Sequence, residues 1–395
     1  MAPKERIAIV AGARTPIGSF GSALRSVPAH VLGARAASAA LERAGIGADR
    51  VDEVIMGCIG EVGPDAYNAR RVAIEAGMPN RTPAFNVNRL CGSGLQAIWS
   101  GAQELLWGGA DVILAGGDES MSRMPFLDFN ARFNDRLGDR VLVDGTVAML
   151  TDPFSSQHMG ATAENVAEKY VVSRAEQDAF AAESQRRATS AVARGVFAEE
   201  IVPVMQEGKG GILVQEDEHP RPGTTVETLA GLRPVFREGG SVTAGNSSGI
   251  NDGAGAVVLM RESDVRAEGL TALATLEDVA TSALEPGLMG YAPVAAIAKL
   301  LARTGLSVDD IGVVELNEAF AAQAVAVIRD ADLDPDRTNP YGGAIALGHP
   351  VGATGAILTV RAAMELQRNN HEFAIVTMCI GGGQALAALL RRWDV

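Results

Sequence analysis

The chain has 395 residues, of which 47% are hydrophobic and 21% charged, and its net charge is −14. A charge of that sign argues against nucleic acid and an anionic membrane as main partners, and no apolar stretch reaches the ~20 residues that cross a bilayer. The three cysteines are widely spaced and form no CxxC pair, which argues against a disulfide framework and against a metal site of the zinc kind.

The first part of the chain alternates between segments typical of strands and segments typical of helices. The predicted elements, in chain order, are strand Ile7–Ala11, helix Ala29–Ala44, strand Val51–Met56, helix Leu95–Leu106 and strand Val112–Ala115, the last followed by Gly116 and Gly117. Such alternation predicts an α/β layered fold with helices covering a sheet. The N-terminus enters the first strand without signal-peptide features, so we expect a reducing, cytoplasmic location.

The stretch from about Ser122 to Gly249 has a different character, because it holds most of the long polar segments. Helical periodicity predicts helices over Thr162–Tyr170 and Ser173–Arg194, the second opened by a capping box of Ser173 and Glu176. A long insertion on an α/β scaffold usually shapes a substrate site. A solvent-exposed excursion without a role remains the alternative.

The last third of the chain repeats the pattern of the first. At a constant offset of 260, identical residues recur in five pairs: Leu41 and Leu301, Arg43 and Arg303, Gly45 and Gly305, Asp49 and Asp309, Val54 and Val314. An internal duplication is the simplest explanation. It predicts two similar α/β halves with a site at their seam, formed by residues 1–121 with 250–272 and by residues 273–395, and an inserted loop domain over residues 122–249.

Two residues near equivalent turns of the halves could react together. Cys91 comes just before a helix predicted to start near Gly94, and a helix N-terminus favours the thiolate form. His349 lies among five glycines before a second helix, near the equivalent turn of the other half. If the turns face each other, thiol and imidazole meet as nucleophilic catalysis requires. Taken alone, Cys91 could equally be a buried structural cysteine.

A third cysteine, Cys379, follows a predicted strand and precedes the glycine run Gly381–Gly383. Backbone N–H groups in such a run can point at an anion, although a simple strand-to-strand turn is the alternative. The segment Gly92–Ala97 also fits a GxGxxA dinucleotide pattern. That signal is weak, because glycine is abundant in this chain and the pattern does not require Cys91.

Six segments together resemble the thiolase family. They are NRLCGSGLQA at Asn88–Ala97, GGDESMSRMP at Gly116–Pro125, TAGNSSGINDGAGA at Thr243–Ala256, NEAFAAQ at Asn317–Gln323, GHPVGATG at Gly348–Gly355 and CIGGG at Cys379–Gly383. Their order and spacing match the family over the whole chain. The resemblance implies an α/β thiolase fold: duplicated βαβαβαββ halves in a five-layered αβαβα stack, with an inserted loop domain.

The resemblance also implies a ping-pong acyl transfer on 3-ketoacyl-CoA, as thiolytic cleavage or as the reverse Claisen condensation. Cys91 would carry the acyl group, His349 would take its proton, and Cys379 would act as the acid and base. Asn317 would hold a water that forms one oxyanion hole with His349. The N–H groups of Cys91 and Gly381 would form the other.

Coenzyme A and acyl-CoA are the implied substrates, with no permanently bound cofactor, and a homodimer or homotetramer is the implied assembly. The positions similar to the CoA-contacting residues of the family are His158, Arg221, Thr228, Leu232, Phe236, Ala244, Ser248, Ala319 and Phe320. Met289 is a candidate wall of the acyl pocket, with a core methionine as the alternative. The chain looks closer to broad-range bacterial 3-ketothiolases than to strict acetoacetyl-CoA thiolases, so acyl-chain preference stays open.

Two other classes compete with this interpretation. A decarboxylating 3-ketoacyl-ACP synthase shares the fold and the nucleophile, but it usually has a second catalytic histidine where this chain has Asn317, and it lacks the cysteine of CIGGG. A non-catalytic CoA-binding or NAD-binding protein would not need Cys91, His349 and Cys379 together.

Overall fold

The computed structural model describes residues 5–133, 137, 139–206 and 211–394. The first half contains strands β1 (Ile7–Arg14), β2 (Gly18–Ser19), β3 (Glu53–Gly57), β4 (Ala84–Val87) and β5 (Val112–Ser120), with helices α1 (Ala29–Ala44), α2 (Asn68–Glu75) and α3 (Ser93–Trp107) between them. The segment that follows contains β6 (Phe126–Leu127), β7 (Val143–Asp144), α4 (Gly145–Met149), α5 (Met159–Lys169), α6 (Arg174–Ala193), β8 (Val204–Met205), β9 (Leu213–Val214) and α7 (Val226–Ala230).

The chain then returns to the first half and continues into the second. Its elements are β10 (Asn251–Arg261), α8 (Glu262–Ala267), β11 (Ala274–Ala283), α9 (Pro293–Thr304), β12 (Ile311–Leu316), α10 (Ala321–Asp330), α11 (Ala344–Leu347), α12 (Thr354–Arg368), β13 (Phe373–Ile380) and β14 (Gln384–Arg392). Single 3₁₀ turns occur at Ala48–Arg50, Gly63–Tyr67, Met121–Arg123, Val196–Glu199, Pro286–Tyr291 and Val308–Asp310. Among the described helices, none is both long and apolar enough to cross a membrane.

The strand order shows the duplication directly. The first half has the order β4-β3-β5-β10-β1, and the second has β12-β13-β14-β11, with the same parallel and antiparallel pairings at equivalent places. At the position of β4 in the second half, Thr338 forms a parallel bridge to Val314. A short pairing of Ile7–Ile9 with Ala274–Leu276 joins both into one continuous sheet. The predicted duplication is therefore confirmed.

The layers follow from the packing. Helices α3 and α12 pack against each other between the two halves of the sheet, in a core of Ala, Val, Ile and Leu side chains. Helices α1 and α2 cover the outer face of the first half, and α9 and α10 cover that of the second. The predicted five-layered αβαβα stack is confirmed. Cys91 and His349 lie just before the N-termini of the two helices of its central layer, α3 and α12.

The structure differs from the sequence prediction at β5, which continues through Gly116 and Gly117 to Ser120. Glycine is needed there because a Cβ on Gly117 would overlap the carbonyl oxygen of Gly352. Gly116 and Gly117, which the sequence analysis placed after the end of the strand, therefore lie within it, where Gly117 allows close contact between the two halves. The predicted long helix after the capping box is confirmed, with its box of Ser173 and Glu176 formed.

Candidate active site

The predicted reactive groups share one cavity of about 380 Å³ at the seam between the halves. Twelve of the fifteen residues singled out above line it: Cys91, His158, Arg221, Phe236, Ala244, Ser248, Met289, Ala319, Phe320, His349, Cys379 and Gly381. They come from both halves and from the segment between β5 and β10. The two duplicated halves and the inserted segment thus all contribute residues to the same cavity.

Cys91 lies at the N-terminal end of α3, one residue before its N-cap Gly92. The chain reaches it through Leu90, which adopts a left-handed conformation with φ 49°. Burial raises the pKa of the Cys91 thiol to about 11, although the N–H groups of Gly381 and of Cys91 itself, which point at the sulfur, lower it. The backbone N–H groups thus favour the thiolate, but desolvation outweighs them, and the thiol is protonated at rest.

His349 has a ring nitrogen that can accept a proton. Its Nδ1 lies 2.6 Å from the hydroxyl of Thr354, and that hydroxyl donates to the carbonyl of Pro350 at 2.9 Å. The hydroxyl must then accept from Nδ1–H, which leaves the lone pair on Nε2. Burial lowers the pKa of His349 to about 4, so the ring is neutral near pH 7 and able to accept a proton.

Asn317 follows β12 and is fully buried. Its Nδ2 lies 3.3 Å from His349 Nε2, consistent with donation to that lone pair. Its backbone N–H donates to the carbonyl of Thr377 in β13 at 3.0 Å, which fixes the start of the NEAF segment. Asn317 does not itself line the cavity; it contacts the cavity through His349.

Cys379 lies near the end of β13 and is 1% exposed. Burial raises its pKa far above the usual range, and the neighbouring Cys91 adds to the rise. The thiol is therefore protonated at rest and can act as a proton donor. The turn that follows, Gly381–Gly383, connects β13 to β14, with Gly382 and Gly383 at positive φ. Both interpretations of this glycine run hold: it is a strand-to-strand turn, and the Gly381 N–H points at the sulfur of Cys91.

The residues expected to contact CoA form the outer part of the cavity. His158 caps α5 through Nδ1 and stacks on Phe236 at 4.9 Å between ring centroids, and Phe236 meets Phe320 edge to face at 6.1 Å. Thr228 and Leu232 do not line the main cavity. They line a smaller adjoining one of about 190 Å³, which shares Arg221 and Ala244 with it.

Three functional candidates escaped the sequence reasoning. His219 lines both cavities, and burial, together with Arg221, lowers its pKa. Leu90 and Met159 line the main cavity beside Cys91 and His158 respectively. The only sequence signal for these three residues was their closeness in the chain to residues already singled out. That signal is not enough, because a neighbour of a reactive residue can point towards the site or away from it.

Family models for the thiolase N-terminal domain and the thiolase C-terminal domain match residues 7–263 and 270–392. The chain belongs to the thiolase family. Among relatives of this thiolase, the beta-ketothiolase BktB of Cupriavidus necator is 49% identical over 389 residues, which cover 98% of this chain and 99% of that protein.

Solved thiolase structures superpose over nearly the whole chain. The acetyl-CoA acetyltransferase of Bacillus anthracis gives a TM-score of 0.97 at 39% identity, covering 98% of this chain and 99% of that one. Human mitochondrial 3-ketoacyl-CoA thiolase in complex with CoA gives 0.95 at 44% identity, covering 99% of each chain. The thiolase fold and an acyltransferase class of enzyme are thereby shown for this chain.

Proposed function

We propose that this thiolase interconverts 3-ketoacyl-CoA plus CoA with acetyl-CoA plus a shortened acyl-CoA, through an acyl group carried on Cys91. The observation that carries the proposal is the meeting of two thiols and a neutral imidazole, Cys91, Cys379 and His349, on the wall of one cavity. One thiol can hold the acyl group while the other moves the proton of the carbon acid.

The first half-reaction begins at Cys91. Burial raises the pKa of its thiol, so the thiol is protonated at rest. His349 Nε2 takes the proton, and the thiolate attacks the 3-keto carbon of the substrate. The bond between carbons 2 and 3 breaks, and the acetyl-CoA enolate takes a proton from Cys379. Acetyl-CoA leaves, and the remaining acyl group stays on Cys91 as a thioester.

The second half-reaction restores both thiols. Cys379 recovers its proton from the thiol of the incoming CoA, whose sulfur attacks the acyl thioester. The shortened acyl-CoA leaves, and the Cys91 thiolate takes back the proton from His349. Condensation runs through the same steps in reverse, so the residues serve both directions.

Two groups of donors suit the oxyanions of these steps. The N–H groups of Cys91 and Gly381 point at the sulfur of Cys91. When a carbonyl carbon is bonded to that sulfur, its oxygen would develop negative charge next to these two donors. His349 becomes an Nε2–H donor once it has taken the thiol proton, and a water held by Asn317 Nδ2 would stand beside it. Each such donor is worth ~3 kcal/mol to a transition state.

The outer cavity suits a CoA thioester. Arg221 supplies a cation for the nucleotide end on a chain of net charge −14, with Thr228 and Leu232 in the adjoining cavity. The stacked His158 and Phe236 would border the pantetheine. The remaining lining residues of this proposed CoA path are Ala244, Ser248, Met289, Ala319 and Phe320. That a related thiolase was solved in complex with CoA supports the assignment.

The 3-ketoacyl-ACP synthase alternative is not favoured, because Asn317 stands beside His349 where that class usually has a second catalytic histidine. We also propose the domain division given above, of which residues 1–4, 134–136, 138, 207–210 and 395 lie outside the described residues. The proposal further includes a cytoplasmic homodimer or homotetramer without a permanently bound cofactor.

The experiment that tests the function is thiolysis of acetoacetyl-CoA by the purified chain in the presence of CoA. The reaction is monitored through the loss of the 3-ketoacyl absorbance. We expect turnover by the parent and none by Cys91→Ser, with Ser190→Ala, an exposed residue of α6 outside the cavity lining, as the control. Full activity of Cys91→Ser would exclude the acyl-Cys91 mechanism. A kcat/KM series over acyl-chain length then defines the preferred substrate.

A further inference from the structure

A buried carboxylate lies directly behind the wall of the cavity. Glu119, near the end of β5, is 1% exposed, and among the described residues no arginine or lysine forms an ion pair with it. Instead its Oε1 accepts the N–H of Gly60 at 2.9 Å, and its Oε2 accepts those of Ile59 at 3.1 Å and Gly352 at 3.0 Å. The thiol of Cys58 lies 3.7 Å from Oε1.

These donors belong to two loops from opposite halves of the molecule. Ile59 and Gly60 follow β3 in the first half, and Ile59 lines the cavity. Gly352 lies three residues after His349 in the second half. A Cβ at Gly352 would come within 2.6 Å of Glu119 Oε2, so the contact requires glycine. One carboxylate therefore joins the cavity wall of the first half to the histidine loop of the second.

The histidine loop depends on such contacts because it is neither helix nor strand between α11 and α12. Its N-terminal side is held by Asn251, whose Oδ1 accepts the N–H of His349 at 2.9 Å. Its C-terminal side is held by Glu119 through Gly352. Both acceptors come from the first half, so the half that carries Cys91 also places the imidazole that must reach it.

The charge of Glu119 has a consequence of its own. Burial raises its pKa to about 7, while the N–H groups of Gly60, Ile59 and Gly352 act in the opposite direction. When ionised, the carboxylate adds to the raised pKa of Cys91. The carboxylate therefore gives no electrostatic help to the thiol. We look for its role in the backbone N–H groups that its oxygens bind.

We propose that Glu119 is a positioning residue for the thiolase reaction: it fixes the His349 loop against the first half so that Nε2 reaches the thiol of Cys91. This inference rests on the proposed function, since it assigns no chemistry to Glu119 itself. Accurate placement of a base within hydrogen-bond reach is what proton transfer requires.

Glu119→Gln tests the proposal. Glutamine keeps the volume and one acceptor oxygen, but its NH₂ group faces N–H donors that then lose their acceptor. The measurement is the single-turnover rate constant for acylation of Cys91 by a 3-ketoacyl-CoA, with the amplitude giving the fraction of competent enzyme. We expect the rate constant to fall at least about tenfold, with KM for CoA within about twofold of the parent. Partial unfolding alone would lower the amplitude and leave the rate constant unchanged.

The matched control is Asp118→Asn, one residue away on the opposite face of the same strand. Asp118 is also buried, but its Oδ1 accepts from Asn68 at 2.7 Å and it faces α1 rather than the cavity. We expect its acylation rate constant to equal that of the parent. An unchanged rate constant in Glu119→Gln, or an equal loss in Asp118→Asn, would overturn the proposal.

If Glu119→Gln does not fold, Glu119→Asp decides. Aspartate keeps the charge but is one methylene shorter, so it cannot reach both loops, and a slower acylation is expected; the parental rate would contradict the proposal. If the parent itself is never acylated at Cys91, the proposed function fails and the role of Glu119 in it falls with it. If the parent is acylated normally and the Glu119 variants are acylated at the same rate, only the role of Glu119 is rejected and the proposed function stands.

Discussion

At the residue scale, the two cysteines of the cavity have different surroundings. Burial raises the pKa of both thiols, but Cys91 receives two backbone N–H groups at its sulfur and faces a neutral His349 across the cavity. Cys379 is the more deeply buried thiol, and the nearby Cys91 raises its pKa further. Cys91 is therefore the more readily ionised of the two thiols, and Cys379 keeps its proton at rest.

This difference predicts a split between half-reactions. Cys379→Ser removes a thiol that can donate to a carbanion but leaves Cys91 and His349 in place. We expect acyl exchange between acetyl-CoA and labelled CoA, which breaks no carbon–carbon bond and loses only the proton transfer between Cys379 and CoA, to stay within about tenfold of the parent. Carbon–carbon cleavage should fall at least about a thousandfold. Exchange kinetics and thiolysis measured on the same preparation check this, and an equal loss of both would contradict the assignment.

At the scale of elements, the site depends on how closely β5 approaches the loop before α12. Gly117 of β5 lies against the carbonyl of Gly352 without room for a Cβ. This contact brings Glu119 within reach of the Gly352 N–H and sets the distance between the two halves. Glycine at this position lets another backbone pack on the face of β5 beyond Ala115.

Gly117→Ala should therefore disturb both stability and catalysis. A methyl group there has to displace the Gly352 carbonyl, and overpacking of this kind costs about 1–3 kcal/mol. We expect a lower urea midpoint and a lower kcat. The control is Gly109→Ala, where a Cβ would meet the side chain of Glu104 only at 3.4 Å, so both quantities should stay near those of the parent. A Gly117→Ala variant as stable and active as this control would show that the close contact does not matter.

At the scale of the whole molecule, the segment that we propose to border CoA is anchored to the first half by buried charges. Arg14 of β1 is fully buried and binds both Glu200 and Asp217 through its guanidinium. Asp217 also accepts the N–H of Ile17 at 2.8 Å. Two and four residues further along the chain lie His219 and Arg221, which line the cavities, so this ion-pair network places the outer wall of the site.

Asp217→Asn should loosen that wall. Removing one partner of a buried ion pair costs about 3–5 kcal/mol because it leaves a charge poorly compensated. We expect a clear fall in the free energy of unfolding and a raised KM for CoA, with a smaller change in kcat. Glu268→Gln, which breaks the exposed pair with Arg50, should cost less than about 1 kcal/mol. An unchanged KM in Asp217→Asn would show that the anchor does not position the CoA path.

The sequence by itself determined the repeat and the fold class, and it singled out the three residues that we propose to react. Periodicity and a constant offset depend only on local pattern, and Cys91, His349 and Cys379 lie in glycine-rich segments whose order and spacing characterise the family. Helix and strand bounds were predicted to within a few residues for the same reason, except at β5. These properties are local, so they can be seen in a one-dimensional pattern.

Only the tertiary structure decided the protonation states and the supports of the site. The raised pKa of Cys91 comes from burial by several elements, and the role inferred for Glu119 comes from donors about 60 and 230 residues away in the chain. Thr228 and Leu232 likewise fell in an adjoining cavity rather than the main one. Desolvation and long-range hydrogen bonds depend on which segments meet in space, and a single sequence does not show those meetings.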